Sequence, residues 1–280
     1  MSVVTENVKY GPALEHGAFV ARPARAATPL PSVVVIQEIW GLDAHIEDVA
    51  RRFALAGYVA FAPDLYATGG TRPAPLARER VAELQAFLNQ LPLASAGAMM
   101  MDPKAREAEL AKRPPAEGAR LGETMAALFG GLSSGGRNLD PYVPKLVAAT
   151  AFLRREYAPS RGRKVGAVGY CMGGTLVGLL ACHDAELAAA AIYYGSGPAA
   201  SLIPDIRCPV AGFYGALDRR ITDGVPAFAE AMRAAGKPFE SHVYEGAMHA
   251  FFNDTRPAYE VNAARDSFAR VLDLLRRTLP

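Results

Sequence analysis

The sequence predicts an α/β fold: a mostly parallel central sheet with helices on both faces and a helical insertion. Apolar, β-branched runs such as Val33-Val34-Val35-Ile36 read as strands buried on both faces. Segments with apolar residues at helical spacing separate these runs, and strands alternating with helices build a parallel sheet. Gly169-Tyr170-Cys171-Met172-Gly173 places glycines on both sides of a cysteine where one run passes into a helix.

Residues 17–22 are expected to add an antiparallel edge strand. After the run at 33–36, residues 43–56 carry Ile46, Val49, Ala50 and Phe53 on one helical face, and Gly57 closes the helix. Residues 58–62 form the next strand, ending at Pro63-Asp64. Further strands are expected at 165–168, 189–193, 210–214 and 240–244, with helices at 140–156, 173–182, 223–235 and 257–278. Between Asp64 and Asp140 no strand stands out. Residues 76–91 read as a helix, Met99-Met100-Met101 follows, and Gly130-Gly131-Leu132-Ser133-Ser134-Gly135-Gly136 reads as a hinge-like loop. The chain is expected to be a single domain over 1–280, with an insertion at about 85–137. That insertion reads as a helical lid lined by adaptable methionines, the alternative being a surface excursion.

Of the 280 residues, 51% are hydrophobic and 21% charged, the balance of a globular protein with a filled core. A net charge of +2 gives no sign of nucleic-acid binding, and no apolar stretch approaches the roughly 20 residues of a membrane span. The polar start, Met1-Ser2-Val3-Val4-Thr5-Glu6-Asn7, is unlike a secretory signal, and three cysteines without paired spacing argue against a disulfide framework. The expectation is a cytoplasmic protein without cofactor or metal, a monomer or homodimer with a small-molecule substrate.

The pentapeptide around Cys171 has the form of the Gly-x-nucleophile-x-Gly elbow of α/β-hydrolases, with cysteine as nucleophile. Such a turn lifts the sulfur to a helix N-terminus, where the helix dipole favours thiolate. The elbow needs an acid and then a histidine downstream. Asp218 ends the run from Phe213 and His249 ends the run from Tyr244, both at strand exits where an open parallel sheet places its site. Asp205 and Asp223 follow strands less directly. Cys182, Cys208 and His183 read as buried or helix-end residues, and His16, His45 and His242 show no ligand spacing.

Ile36-Gln37-Glu38-Ile39-Trp40-Gly41-Leu42, Ala62-Pro63-Asp64-Leu65-Tyr66, the elbow, and Tyr244-Glu245-Gly246-Ala247-Met248-His249-Ala250-Phe251 together resemble the dienelactone hydrolase family. These carboxymethylenebutenolidases open an unsaturated lactone during bacterial degradation of chlorinated aromatics. The resemblance covers about residue 30 to the C-terminus apart from the insertion. It implies Cys171 as nucleophile through a thioester, His249 as base, Asp218 as its orienting acid, and Glu38 as the carboxylate that pairs with the resting thiol. It also implies an oxyanion hole from the Met172 and Ile39 amides, with Trp40, Tyr66 and Asn253 at the substrate. Glu38 has a second reading, as a structural acid.

The family grips a substrate carboxylate with an arginine four residues past the histidine, and here that residue is Asn253. Arg72, Arg78, Arg80 and Arg137 are candidates for the second arginine by location alone. The alternatives are a broad carboxylesterase or thioesterase, or a non-catalytic binder on the same fold. A redox pair of Cys171 and Cys182 would span roughly 16 Å of helix, too far for a bond.

Overall fold

The computed structural model describes residues 2–130 and 138–280, excepting the side chains of Leu93 and Met101. The chain forms two compact units, Met1–Leu65 with Asp140–Pro280, and Tyr66–Leu139. The first begins with β1 (Val3–Tyr10), β2 (His16–Pro23), β3 (Ser32–Ile36), α1 (Ala44–Leu55) and β4 (Val59–Pro63). Asp43 caps α1 by accepting the Ile46 N–H at 3.0 Å, and Gly57 (φ +99°) leaves the helix in a left-handed turn.

The second unit holds α2 (Arg78–Asn89), α3 (Leu93–Met101), α4 (Pro103–Leu110) and α5 (Pro115–Phe129). It takes in the described part of the expected insertion but begins earlier, at Tyr66. Leu84, Met99, Met125 and Leu128 are fully buried. The loop expected at 130–136 falls outside the described residues from 131 onward, as does Arg137.

The first unit resumes with α6 (Val143–Arg155), β5 (Val165–Tyr170), α7 (Met172–His183), β6 (Ala189–Tyr193) and β7 (Val210–Gly215). It ends with α8 (Arg219–Thr222), α9 (Val225–Ala234), β8 (Phe239–Tyr244) and α10 (Val261–Thr278), the last capped by Glu260. Eight strands form one sheet in the order β1-β2-β4-β3-β5-β6-β7-β8, parallel from β4 to β8. Every residue of β3 to β7 is buried, as two-sided cover by helices requires.

One expectation changes. The strand read at 17–22 is β2, and it is not the edge: β1 pairs antiparallel with it from Val3 opposite Pro23 to Tyr10 opposite His16. β1 is mostly exposed, so it lacks the apolar run by which a strand is read from sequence. Its backbone pairing with β2 and the burial of Tyr10 hold it instead.

The turn from β5 to α7 contains Cys171 alone, at φ 55° and ψ −116°. A Cβ on Gly169 would stand 2.1 Å from the Gly173 carbonyl oxygen, and one on Gly173 would stand 2.4 Å from that of Ile36. Gly17 on β2 has open space at the same construction. Gly173→Ala should therefore lose about 1–3 kcal/mol or more in urea unfolding, while Gly17→Ala stays within about 0.5 kcal/mol of the parent. Equal midpoints for the two variants would contradict the close approach.

Candidate active site

Strand ends assemble the site because each parallel strand delivers its following loop to the same edge of the sheet. The loop after β7 carries Asp218 and the loop after β8 carries His249. They are tied together by the Leu217 N–H donating to the Ala247 carbonyl at 3.0 Å. A Cβ on Gly215 would stand 2.5 Å from that same carbonyl oxygen, so the two loops lie in direct backbone contact. Across them His249 Nδ1 and Asp218 Oδ2 are 2.5 Å apart, with the carboxylate side chain 7% exposed and the imidazole 31%. Asp223, the nearest rival acid in sequence, pairs with Arg219 at 3.1 Å instead.

Cys171 is partly buried, and its N–H donates to the Tyr193 carbonyl at 3.0 Å, which anchors the elbow to β6. Burial of the His249 ring opposes its charge, yet the Cys171 sulfur and the Asp218 carboxylate outweigh it and raise the imidazole to about 10. The other cysteines behave as core residues. Burial pushes the Cys182 thiol up to about 11 and Cys208 up to about 12, far from nucleophilic ionisation.

Glu38 follows β3, whose end packs on the elbow through the contact of Gly173 with the Ile36 and Gln37 carbonyls. Gln37 braces this segment by accepting the Leu65 N–H at 3.1 Å. The Glu38 carboxylate is 2% exposed and both its oxygens are engaged. Tyr194 donates its hydroxyl to Oε1 at 3.2 Å, and Asn253 donates Nδ2 to Oε2 at 2.8 Å. Burial, reinforced by the charges of Glu38 and Cys171, holds the Tyr194 phenol well above its ordinary range, so it stays a donor.

Asn253, which the resemblance assigned to the substrate, is thus joined to Glu38. It is fully buried, with its amide nitrogen on Glu38 and its oxygen accepting from the Thr255 N–H and hydroxyl at 3.0 and 2.6 Å. Trp40 is buried under the Arg256 guanidinium, 4.3 Å from the ring centroid. Ile39 and Met172 are buried, the first in the loop after β3 and the second at the start of α7. Tyr66 heads the second unit and is buried. Within that unit Arg72 donates to the Leu76 carbonyl, and Arg80 to the Arg120 carbonyl and the Glu123 carboxylate. Among the described residues no His, Cys, Asp or Glu cluster could hold a metal ion, and no helix is long and apolar enough to cross a membrane.

Two residues escaped the sequence reading. Tyr194 sits one position past a strand end and carries no motif, and Arg256 lies seven residues past His249 on an irregular turn. Burial draws the Arg256 guanidinium down, while Glu38, Asp43 and Cys171 favour its charge. A cation among the residues flanking the expected histidine was the only signal available for it.

A family model for the dienelactone hydrolase family matches residues 16–279. The chain belongs to this family. A Saccharolobus solfataricus protein provisionally named a carboxymethylenebutenolidase is 31% identical over 263 residues, covering 93% of each chain. The Pseudomonas putida carboxymethylenebutenolidase is 27% identical over 261 residues, covering 92% of this chain and 90% of its own. A crystal structure from Klebsiella pneumoniae, provisionally described as a dienelactone hydrolase, superposes with a TM-score of 0.70 at 26% identity over 99% of both chains. The fold is of the α/β-hydrolase type and the protein is a hydrolase.

The imidazole of His249 is the group to observe in this arrangement. Asp218→Asn removes the carboxylate charge that favours its protonated form, so by NMR its titration should fall by about one unit or more. An unchanged titration would mean the short contact carries no charge stabilisation.

Proposed function

We propose that the protein hydrolyses lactones or small carboxylic esters through Cys171, with His249 and Asp218 completing a triad and a thioester as intermediate. The observation that carries this is the His249–Asp218 contact at 2.5 Å, beside a cysteine held at positive φ on the family's elbow. In this reading the thiolate adds to the carbonyl carbon, and the elbow and β3-loop amides of Met172 and Ile39 receive the oxyanion. Collapse expels the alkoxide, which takes the His249 proton. His249 then removes a proton from water, which attacks the thioester and restores the thiol. Glu38 pairs with the neutral thiol at rest, takes its proton when substrate binds, and returns it to the sulfur once the thioester is hydrolysed. Trp40 is assigned to substrate contact.

Among the described residues, Arg256 is a cation that a substrate carboxylate would meet beside Cys171. With Asn253 committed to Glu38, Arg256 takes that role in the proposal, its charge within electrostatic reach of Cys171. A neutral ester would make no use of it. The relatives named as carboxymethylenebutenolidases favour the anionic lactone, and a broad carboxylesterase is the second reading.

Turnover of a dienelactone and of a neutral aryl acetate by the parent and two variants tests both points. Cys171→Ala should lower kcat by more than roughly a thousandfold on whichever substrate is cleaved. Arg256→Met should raise KM for the dienelactone about tenfold and leave the acetate unchanged. Retained turnover in Cys171→Ala would remove the thiol mechanism, and equal effects of Arg256→Met on both substrates would remove the anion-binding role.

A further inference from the structure

We infer that Tyr194 is a positioning residue whose hydroxyl fixes Glu38 while its ring seats His249, so that one side chain sets both proton-handling groups relative to Cys171. The inference rests on the thiol-hydrolase reading above and adds a residue to it.

Tyr194 directly follows β6 and takes φ 38°, a conformation that side chains with a Cβ avoid. Strain of this kind persists only where the surroundings impose it. They do so here from two sides. The Tyr193 carbonyl accepts the Cys171 N–H at 3.0 Å, and the Tyr194 N–H donates to the Phe213 carbonyl at 2.8 Å. The residue is therefore held between the elbow and β7, with its side chain fully buried. From that position the hydroxyl reaches Glu38 Oε1 at 3.2 Å, and the ring meets the His249 imidazole edge-on at 5.1 Å. Packing alone does not explain a strained tyrosine: an apolar side chain in a relaxed backbone would fill the space without the strain. The phenol supplies a donor to the carboxylate and an aromatic ring against the imidazole together.

Glu38 is otherwise held by Asn253, also a neutral donor. Among the described residues, the Glu38 charge bears on Tyr170, Tyr194 and Arg256, and that of Cys171 on Tyr194, Arg256 and His249. Losing a donor disfavours the ionised carboxylate, so a reaction that needs Glu38 as base should fail at higher pH on its acid side.

Tyr194→Phe removes the hydroxyl and keeps the ring. Two pH profiles report on it: aryl acetate turnover, and alkylation of Cys171 by iodoacetamide with Cys171→Ala as blank. In Tyr194→Phe, kcat should fall about tenfold with KM within about twofold. The acid limb of both profiles should move up by about half a unit or more. Adding Tyr194→Phe to Glu38→Gln should cost nothing further, because the hydroxyl acts through that carboxylate. Superimposable profiles, or losses that add in the double variant, would overturn the inference. Site-specific 3-fluorotyrosine at 194, a more acidic donor of nearly the same shape, covers the case in which the phenylalanine variant does not fold. It should move the acid limb down, and an unmoved limb would overturn the inference equally. Alkylation needs no substrate, so it still reports on Tyr194 if the ester reading fails.

Discussion

The site depends on how closely the turn at Cys171 presses against its neighbours. Four backbone segments converge there without side chains between them. Gly169 faces the Gly173 carbonyl, Gly173 faces the end of β3, and Gly174 and Gly195 face each other, where a Cβ on Gly195 would stand 2.4 Å from the Thr175 N–H nitrogen. This contact does more than admit Cys171 at positive φ. It brings the loops after β3 and β6 up against the elbow, and those loops carry Glu38 and Tyr194. A methyl group at Gly173 would push β3 away and take Glu38 with it.

The polar groups drawn into that space are buried, and buried polar groups are stable only when satisfied. Glu38 accepts at both oxygens, Asn253 is engaged at both ends of its amide, and Asp218 meets His249. Such a network rigidifies the side chains it joins. The cost of burying a carboxylate thus becomes a means of fixing where it points, and the same holds for the imidazole between Asp218 and the Tyr194 ring.

Much of this was legible in the sequence, for identifiable reasons. β3 to β7 are buried on both faces and so read as continuous apolar runs. The elbow has a steric signature in its glycines, and Asp218 and His249 stand at run ends in the required order. β1 was not legible because an exposed strand paired on one side needs no apolar pattern, and its absence from the reading made β2 look like an edge. Tyr194 was hidden for another reason: its role follows from a backbone angle and from two partners far away in sequence. Asn253 was read through the family's arginine at that place, and the structure joins its amide to Glu38, a partner 215 residues away.

Asn253 and Arg256 divide two tasks between the ends of one turn. The Arg256 N–H donates to the Asn253 carbonyl at 3.1 Å, so the two residues belong to one turn. Its first side chain binds Glu38, and its last lies over Trp40, two residues further along the same loop. The turn therefore grips the β3 loop at two points, once by hydrogen bond and once by a cation on an aromatic face. Asparagine at the first point holds the carboxylate without neutralising it. The positive charge arrives separately, on a guanidinium whose burial strengthens its field at Glu38 and Cys171. A substrate anion that drew on that charge would leave the hydrogen bond from Asn253 intact, so Glu38 could keep its orientation throughout binding.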